Sequence, residues 1–470
     1  MQRLKKISAP LQASFWFVIA SFLNKGVSML TTPLYTRLMS PTDYGIVSLY
    51  NTWSGVFSVI ITLSIAANAF HKGMVKFKDN RDTFISSMIG LTAVLVIIGL
   101  IIFKIGEDFF VKFTGLSNDL FYIMFAGLFL NAVLGFWTLK KKFDYDYKMV
   151  VGVSLALTII SQIVTYVAIV NANENLALVK IFYSALPGYI VSIIFAIELV
   201  GRGKVIFRIT YWKFAVLFCF PLLPHYLSNH VLNQIDRIMI ANYWGTAETA
   251  VYSVAYTLSS LISLLWGATS GVFVPWLYRK VEKNDLVKIK KVVSYSIIVL
   301  ALASLSLMLL GPEIMSILGP STYAIGVYAI PPVIAGVYLS ILIMIYSNIE
   351  MYLNSNLKIS IITILGAIIN LILNLILIPE YGFVAAAYTT LVSFFIMLCF
   401  HRYNLKRISE NRYFNDVIIN SLIVIVVIFS VIVQFSYEYT FLRVILIIIV
   451  LLILVFKRKD ILKMINEFQN

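Results

Sequence analysis

TFISSMIGLTAVLVIIGLIIF, residues 83–103, is a run of 21 residues without a charged side chain. A helix rises 1.5 Å per residue, so a run of this length reaches across the hydrocarbon core of a bilayer, which is about 30 Å thick. Lipid offers no hydrogen-bonding partners, and a segment buried in it must satisfy its own backbone groups, as an α-helix does. The stretch therefore predicts a transmembrane helix.

The composition extends this prediction to the whole chain. Of the 470 residues, 60% are hydrophobic and 13% are charged, whereas a soluble domain has about 25% charged residues. So few charges cannot cover a water-exposed surface of this size. Cys219 and Cys399 lie in separate apolar runs, which indicates neither a disulfide framework nor a metal site. No cofactor or metal is expected.

Charged residues, Gly, Pro and Asn divide the chain into fourteen predicted spans. These are Ala13–Leu38, Tyr44–Phe70, Thr83–Phe103, Asp119–Leu139, Met149–Val170, Leu178–Val200, Phe214–Ala241, Thr249–Leu277, Val292–Leu310, Ala324–Glu350, Ile359–Ile378, Phe383–Phe400, Val417–Phe435 and Phe441–Phe456.

Positive charges set the predicted orientation, since Lys and Arg concentrate in cytoplasmic segments. With a cytoplasmic N-terminus, thirty of the 37 Lys and Arg residues fall on the cytoplasmic side, and Lys104 and Lys112 alone fall outside. The other five lie within spans. One span more or fewer would destroy this alternation, so the charges support fourteen spans with both termini in the cytoplasm. They also explain the net charge of +15 without nucleic acid.

A weak internal repeat predicts two lobes. Residues 40–50 (SPTDYGIVSLY) and 246–256 (TAETAVYSVAY) are offset by 206 positions; each begins with a small polar residue, has an acidic residue near the helix entrance, and has a Tyr at the same place. Both precede helices that run inward. The predicted architecture is an all-α integral membrane protein with two pseudo-symmetric six-helix lobes, residues 1–210 and 211–415, followed by a helix pair and cytoplasmic tail, 416–470. Transporters often bind substrate between such repeats.

The functional class follows from what the sequence lacks. It has no P-loop, HExxH motif or nucleophile elbow, and its predicted loops are short. We therefore expect a transporter, flippase or channel with no catalytic residues. A membrane-embedded enzyme would need a large outer loop or clustered carboxylates.

Charged residues inside spans need a reason, because mid-membrane Lys or Arg costs about 2.5–3.5 kcal/mol. Lys25 lies deep in the first span, where Ser21, Ser28 and Thr32 share its helical face and Asn24 flanks it. It predicts either a hydrated cavity or a buried ion pair. Arg37 and Lys180 lie near outer ends, where snorkelling to the interface is an equal explanation.

The seventh span is the most polar, and it predicts a helix that lines a cavity, with polar contacts between helices as the alternative. Its candidate cavity residues are His225, Asn229, Asn233, Asp236 and Arg237. Because the deep charges are mainly basic, the cavity should favour an anion.

Other polar residues have simpler interpretations. Glu350 is interpreted as a helix-end cap, Arg443 as an interfacial anchor, and Asn370 with Asn374 as a contact between helices. Aromatic residues at span ends fit an interfacial belt: Tyr44, Trp137, Tyr211, Trp212, Trp244 and Trp276.

Three segments carry a family resemblance: residues 30–45 (LTTPLYTRLMSPTDYG), residues 221–228 with 236–240 (PLLPHYLS and DRIMI), and residues 378–387 (IPEYGFVAAA). They resemble the Wzx-type polysaccharide flippases, exporters of O-antigen and capsule repeat units within the multidrug/oligosaccharidyl-lipid/polysaccharide exporter superfamily. The resemblance covers essentially the whole chain.

This resemblance implies a MATE-like fold and alternating access around a central cationic cavity. The implied substrate is an undecaprenyl-diphosphate-linked oligosaccharide, flipped to the outer leaflet of the bacterial cytoplasmic membrane, with polysaccharide polymerase and chain-length proteins as partners. It makes Lys25, Arg37 and Arg237 candidate diphosphate contacts. Two alternatives stay open: a cation-coupled small-molecule antiporter of the same fold, which would depend on Asp236, and a peptidoglycan lipid II flippase.

Overall fold

The computed structural model describes residues 9–449, with side chains from residue 16 onward except that of Ala268. Over these residues the fold is helical, without β-strands. The helices are α1 Ala9–Leu38, α2 Pro41–Thr62, α3 Ala69–Lys76, α4 Arg81–Ile105, α5 Glu107–Thr114, α6 Asn118–Phe143, α7 Tyr147–Asn171, α8 Leu176–Gly203, α9 Ile209–Cys219, α10 Leu223–Trp244, α11 Thr246–Glu282, α12 Leu286–Leu309, α13 Gly311–Leu318, α14 Ile330–Tyr352, α15 Asn356–Ile408, α16 Asp416–Ile432 and α17 Thr440–Ile449.

Membrane-length apolar helices dominate the fold, which confirms the prediction of an all-α membrane protein. Within residues 9–449, eleven helical segments are long and apolar enough to cross a bilayer. One of them, α15, contains both the eleventh and twelfth predicted spans, and its backbone breaks at Gly382 (φ 65°, ψ −150°). The last predicted span, Phe441–Phe456, and the predicted tail extend outside the described residues, so the total of fourteen stays a prediction.

The chain forms two compact units, unit 1 (Met1–Ala247) and unit 2 (Glu248–Asn470). Helices α9 and α10, which the sequence repeat assigned to the second lobe, belong to unit 1. There α9 packs on α3 and α4, and α10 packs on α2. Aromatic side chains make the α9 contact, since the Tyr211 ring lies 4.6 Å from that of Phe77. The lobe boundaries at residues 210 and 415 come from the predicted pseudo-symmetry of the sequence, and they stay predictions.

The two units have a short amphipathic helix at a matching place. In unit 1, α5 follows the long helix α4, and in unit 2, α13 follows the long helix α12. Each has eight residues and carries at least one acidic side chain in its first turn: Glu107 and Asp108 in α5, and Glu313 in α13. Acidic side chains favour a helix N-terminus, because its unpaired N–H groups carry positive partial charge.

The start of α2 explains part of the motif in residues 40–45. The Ser40 hydroxyl accepts a hydrogen bond from the Asp43 N–H at 3.1 Å, and Pro41 occupies the first helical position, where its missing N–H costs nothing. At Gly45 a Cβ would lie 1.7 Å from the Thr246 carbonyl oxygen. Only glycine permits this approach of the two backbones.

Aromatic residues fill the core of unit 1 more than the sequence indicated. The rings of Trp137 and Phe195 stack at 4.0 Å, and Trp137 and Tyr211 are buried. In unit 2, Trp276 is likewise buried. The interfacial-belt interpretation is therefore wrong for these three residues, whereas Trp244 is exposed as expected.

Unit 2 is organised around α14. This helix packs against α12, α15 and α16, and most of its side chains are buried. A helix that is apolar on all sides and so enclosed forms the centre of a bundle.

Candidate functional site

The predicted polar face of α1 carries an exposed lysine. Lys25 is exposed, as are Ser21 and Ser28, while Thr32 farther along the helix is buried. In the described part of the chain, Lys25 forms no hydrogen bond or ion pair. The alternative of a buried ion pair is therefore wrong for Lys25, and its ammonium group is available to an anion.

Asn24, beside Lys25, is engaged with α7. Its amide nitrogen donates to the Ser154 hydroxyl at 2.6 Å, and its amide oxygen accepts from the Thr158 hydroxyl at 2.9 Å. Both ends of the side chain thus join α1 to α7. These bonds explain Asn24 as a contact between helices, and ligand binding by it stays a prediction.

A cavity of about 320 Å³ lies beside this contact, between α1, α6 and α7. Its wall includes Ser21, Asn24 and Lys142, together with the apolar residues Phe17 and Trp137. The Lys142 ammonium lies 5.0 Å from the centre of the Phe17 ring. The cavity therefore places Ser21 of the polar face near Lys142, whereas Lys25 is not part of its wall.

Lys180 of α8 is enclosed by aromatic rings. Its ammonium lies 4.2 Å from the ring centres of both Tyr35 and Tyr44, and Tyr35 donates a hydrogen bond to Gln162 at 2.8 Å. Cation–π attraction stabilises a charge that burial would otherwise penalise. The two tyrosines belong to the quoted motif of residues 30–45, but no sequence periodicity links them to residue 180.

Arg37 lies near the end of α1 and is exposed. Its Nη1 donates to the Pro33 carbonyl of its own helix at 2.9 Å. This geometry holds the guanidinium along α1. The position agrees with Arg37 as an anchor near the end of the helix, and its contact with a diphosphate stays a prediction.

The polar helix α10 is half-exposed in its first part and buried in its second. His225 and Asn233 are half-buried and Asn229 is exposed, whereas Asp236 is 1% and Arg237 8% exposed. Hydrogen bonds run along the helix: the Asn233 amide donates to the Asn229 carbonyl at 2.7 Å, and Arg237 Nη1 donates to Gln234 Oε1 at 2.7 Å. Arg237 also donates to the Asn233 carbonyl at 3.2 Å, so Asn229, Asn233 and Arg237 are linked along the helix. His225 Nδ1, in contrast, is buried without a hydrogen-bonding partner among the described residues.

Neighbouring side chains fix α10 in unit 1. The Tyr226 hydroxyl donates to Asn68 Oδ1 at 2.6 Å. His230 lies against Gly55 of α2, where a Cβ would come within 3.2 Å of the imidazole. Sequence reasoning missed these partners because they are more than 150 positions away along the chain. Over residues 9–449, no group of three His, Cys, Asp or Glu side chains is placed to hold a metal ion.

Comparison with known proteins identifies the family. The model of the family described as "Polysaccharide biosynthesis protein" matches residues 11–280, more than half of the chain. Among relatives, the capsular polysaccharide biosynthesis protein CapF of Staphylococcus aureus is 23% identical, with 84% of this chain and 98% of CapF covered. The probable low-salt glycan biosynthesis flippase Agl15 of Haloferax volcanii is 22% identical, with 84% and 83% covered.

Solved structures show the fold. The lipid II flippase MurJ in an inward closed conformation has a TM-score of 0.70 at 14% identity, covering 96% of this chain and 100% of that one. An inward-facing MATE transporter of the MOP superfamily has a TM-score of 0.61 at 12% identity, covering 83% and 96%. The predicted MATE-like fold is confirmed.

Those relatives and neighbours whose names state an activity are flippases and transporters, in agreement with the predicted transport class rather than an enzyme. The predicted Wzx-type resemblance is thereby confirmed: this multi-pass membrane protein belongs to the polysaccharide biosynthesis protein family.

Proposed function

We propose that the chain flips an undecaprenyl-diphosphate-linked oligosaccharide from the cytoplasmic to the outer leaflet of the bacterial cytoplasmic membrane. The observation that carries this proposal is Lys25: a lysine in the middle of α1, the predicted first span, exposed and without an ion-pair partner among the described residues. An uncompensated cation at such depth is costly. An anionic head group that passes Lys25 would compensate its charge.

Unit 1 offers further positive charge. Arg237 is buried in α10, hydrogen-bonded to Gln234, and Lys180 lies between two tyrosine rings. A diphosphate is expensive to move through hydrocarbon, and fixed cations lower that cost because charges interact more strongly where water is scarce. The family relationship supports a polysaccharide precursor as the carrier of that diphosphate.

The predicted orientation gives the direction of transport. With a negative cytoplasm, outward movement of an anion is favoured by about 2.3 kcal/mol per charge for each 100 mV. Flipping therefore needs no nucleotide hydrolysis in principle. Alternating access would expose the cations to each side in turn, and polymerase and chain-length proteins would use the flipped product.

Surface polysaccharide in the host cell tests the proposal. Replacing the native gene with Lys25→Ala or Arg237→Ala should abolish surface polysaccharide while the protein still inserts in the membrane. Lys104→Ala is the matched control, since Lys104 is an exposed lysine of unit 1 that pairs with Glu107 at 2.5 Å. Wild-type polysaccharide levels in both test variants would contradict the cationic path.

Gene replacement in the same host also separates the alternatives. A drug antiporter would lose export of cationic dyes in Asp236→Asn while keeping surface polysaccharide. A lipid II flippase would be required for growth itself, and its loss would not spare cell-wall synthesis.

A further inference from the structure

A cavity of about 330 Å³ lies in unit 2, where α15 ends and α16 begins. Its wall is formed by Tyr346 of α14, the last turns of α15, and the connection to α16. Its volume is within the range of small-ligand sites, and none of its residues belongs to the path proposed for the transported substrate. The charged residues of the wall are Arg402, Lys406, Glu410, Arg412 and Asp416.

The charges of this wall favour an anion. Arg402 is already paired, because its guanidinium donates to Asp416 at 3.2 Å. Lys406 and Arg412 are exposed and form no hydrogen bond or ion pair within residues 9–449. Exposed Glu410 offsets one of these two charges, so the wall keeps one net positive charge. A group with a single negative charge would balance it.

Tyr346 adds a hydrogen-bond donor to the same wall. Its side chain is 3% exposed, and its ring lies 4.5 Å from that of Phe414. Its hydroxyl is buried and has no hydrogen-bonding partner in the described part of the chain. Buried polar groups are usually paired, and an anionic oxygen in the cavity would accept from this hydroxyl. Membrane topology explains positive charge in a connection, but it does not explain a buried hydroxyl that lines the cavity.

The buried polar groups one turn further along α14 bond to each other instead. Glu350 Oε2 lies 2.6 Å from His401 Nδ1, and Glu350 Oε1 accepts from the Asn404 amide at 2.8 Å. The interpretation of Glu350 as a helix-end cap is therefore wrong, since its side chain joins α14 to α15. These bonds hold the two helices that form the wall of the cavity, and the Tyr346 hydroxyl is not part of the set.

The position of the cavity favours a lipid head group as its occupant. Its charged wall lies within residues 402–416, between the predicted spans that end at Phe400 and begin at Val417. Both of these residues and Tyr403 are exposed, so apolar surface suited to acyl chains borders the connection. Charged groups at this level meet the phosphates of the bilayer. The predicted orientation places them on the cytoplasmic side, where basic pockets between transmembrane helices bind anionic head groups.

We infer that this cavity binds the head group of an anionic phospholipid of the cytoplasmic leaflet, with Lys406, Arg412 and the Tyr346 hydroxyl as contacts of its phosphodiester. The single negative charge of a phosphodiester matches the net charge of the wall. A lipid bound in this way would join α14 to the end of α15 from outside the bundle. The inference does not depend on the proposed function, because the bound lipid is a component of the membrane and not the transported substrate.

Native mass spectrometry of the detergent-solubilised full-length protein tests this binding with phosphatidylglycerol, and phosphatidylcholine is the comparison lipid. We expect the protein to bind phosphatidylglycerol more tightly. Lys406→Gln and Arg412→Gln should each weaken this binding about fivefold, because each removes one positive charge at the membrane surface. Tyr346→Phe should weaken it several-fold although it removes no charge. Glu410→Gln should strengthen it, because it removes a negative charge from the wall.

Arg407→Gln is the matched control, since it removes the same charge from the same turn of α15. The Arg407 guanidinium lies 5.7 Å from the centre of the Tyr403 ring, and Arg407 is not part of the cavity wall. This variant should bind phosphatidylglycerol as the wild type does. Equal weakening by Arg407→Gln and Lys406→Gln, or equal affinity of the wild type for the two lipids, would overturn the inference. Displacement of phosphatidylglycerol by an equal concentration of inorganic phosphate would assign the cavity to a soluble phosphate compound and overturn the lipid assignment.

Discussion

The two compact units place their polar residues differently. In unit 1, Lys25 is exposed, and the ammonium group of Lys180 lies against two tyrosine rings rather than a carboxylate. In unit 2, polar groups are enclosed in hydrogen-bonded sets, such as Glu350 with His401. Exposed cations are suited to a transient anionic ligand, whereas enclosed hydrogen-bonded sets hold helices together. The sequence alone suggested mainly the first pattern.

A second enclosed set reinforces the contrast. Asn370 of α15 donates to the Thr390 hydroxyl at 3.2 Å, and Asn374 donates to Asn370 Oδ1 at 3.2 Å. Thr389 donates to Asn374 Oδ1. All four side chains are buried. The structure agrees with the sequence interpretation of Asn370 and Asn374 as a contact between helices, here between the two parts of α15 on either side of Gly382.

The largest effect is expected from reversing the exposed charge of unit 1. Lys25→Glu places a negative charge where the diphosphate should pass, and the unfavourable interaction should lower flipping at least about 100-fold, equivalent to about 3 kcal/mol. The measurement is the initial flipping rate in proteoliposomes at matched protein density. Lys25→Arg keeps the charge and should retain most of the activity. If Lys25→Glu is as active as the wild type, unit 1 does not use this cation.

A structural defect in unit 1 should be separable from a charge defect. Gly45→Ala forces a Cβ against the Thr246 carbonyl, and the displaced backbone should cost about 3 kcal/mol. The thermal midpoint of the detergent-solubilised protein should fall clearly. Gly188→Ala serves as the control, because a Cβ there meets no atom within 4 Å. Equal midpoints for the two variants would contradict the close approach of the backbones.

The enclosed set of unit 2 should respond in stability rather than in anion transport. Asn374→Leu leaves buried hydroxyl and amide groups without partners, at about 1–3 kcal/mol. We expect a lower thermal midpoint and an unchanged dependence of flipping on head-group charge. Asn348→Leu is the comparison, since Asn348 is half-buried and its hydrogen bond among the described residues goes to the Met344 carbonyl of its own helix. An altered dependence of flipping on head-group charge in Asn374→Leu would contradict a purely structural role of this hydrogen-bonded set.

The smallest effect is expected at Lys180. Lys180→Met removes the cation–π contacts with Tyr35 and Tyr44, which are worth about 0.5–2 kcal/mol, and keeps the length of the side chain. The thermal midpoint should decrease slightly, and flipping should fall less than in Lys25→Ala. A loss of flipping as large as that of Lys25→Ala would contradict the smaller contribution that the enclosed position of Lys180 predicts.

The sequence predicted features that depend on local patterns. The eleventh and twelfth predicted spans meet at residues 379–382, and the backbone does break at Gly382, because Pro and Gly limit helical continuation locally. Positive φ at this position requires a residue without a Cβ. The sequence did not predict the short helices α5 and α13, because a segment of eight residues between two spans has the length of an ordinary loop.

Pairings between distant residues could not be predicted. Asn24 meets Ser154 and Thr158 about 130 positions away, and Glu350 meets His401 at a separation of 51. Arg443, interpreted as an interfacial anchor, is 5% exposed and pairs with Glu313. Composition and periodicity predict which face of a helix is polar. Which two polar groups become hydrogen-bonding partners depends on how the helices pack.

The most direct measurement is a flipping assay in proteoliposomes with two fluorescent glycolipids that share one oligosaccharide, one on undecaprenyl diphosphate and one on a neutral lipid. We predict that the wild type flips the diphosphate lipid faster, and that Lys25→Ala lowers this rate at least about tenfold, or 1.4 kcal/mol, while the neutral lipid is unaffected. Equal rates for the two lipids in the wild type, or an undiminished preference for the diphosphate in Lys25→Ala, would contradict the role of Lys25 as a contact for the anionic head group.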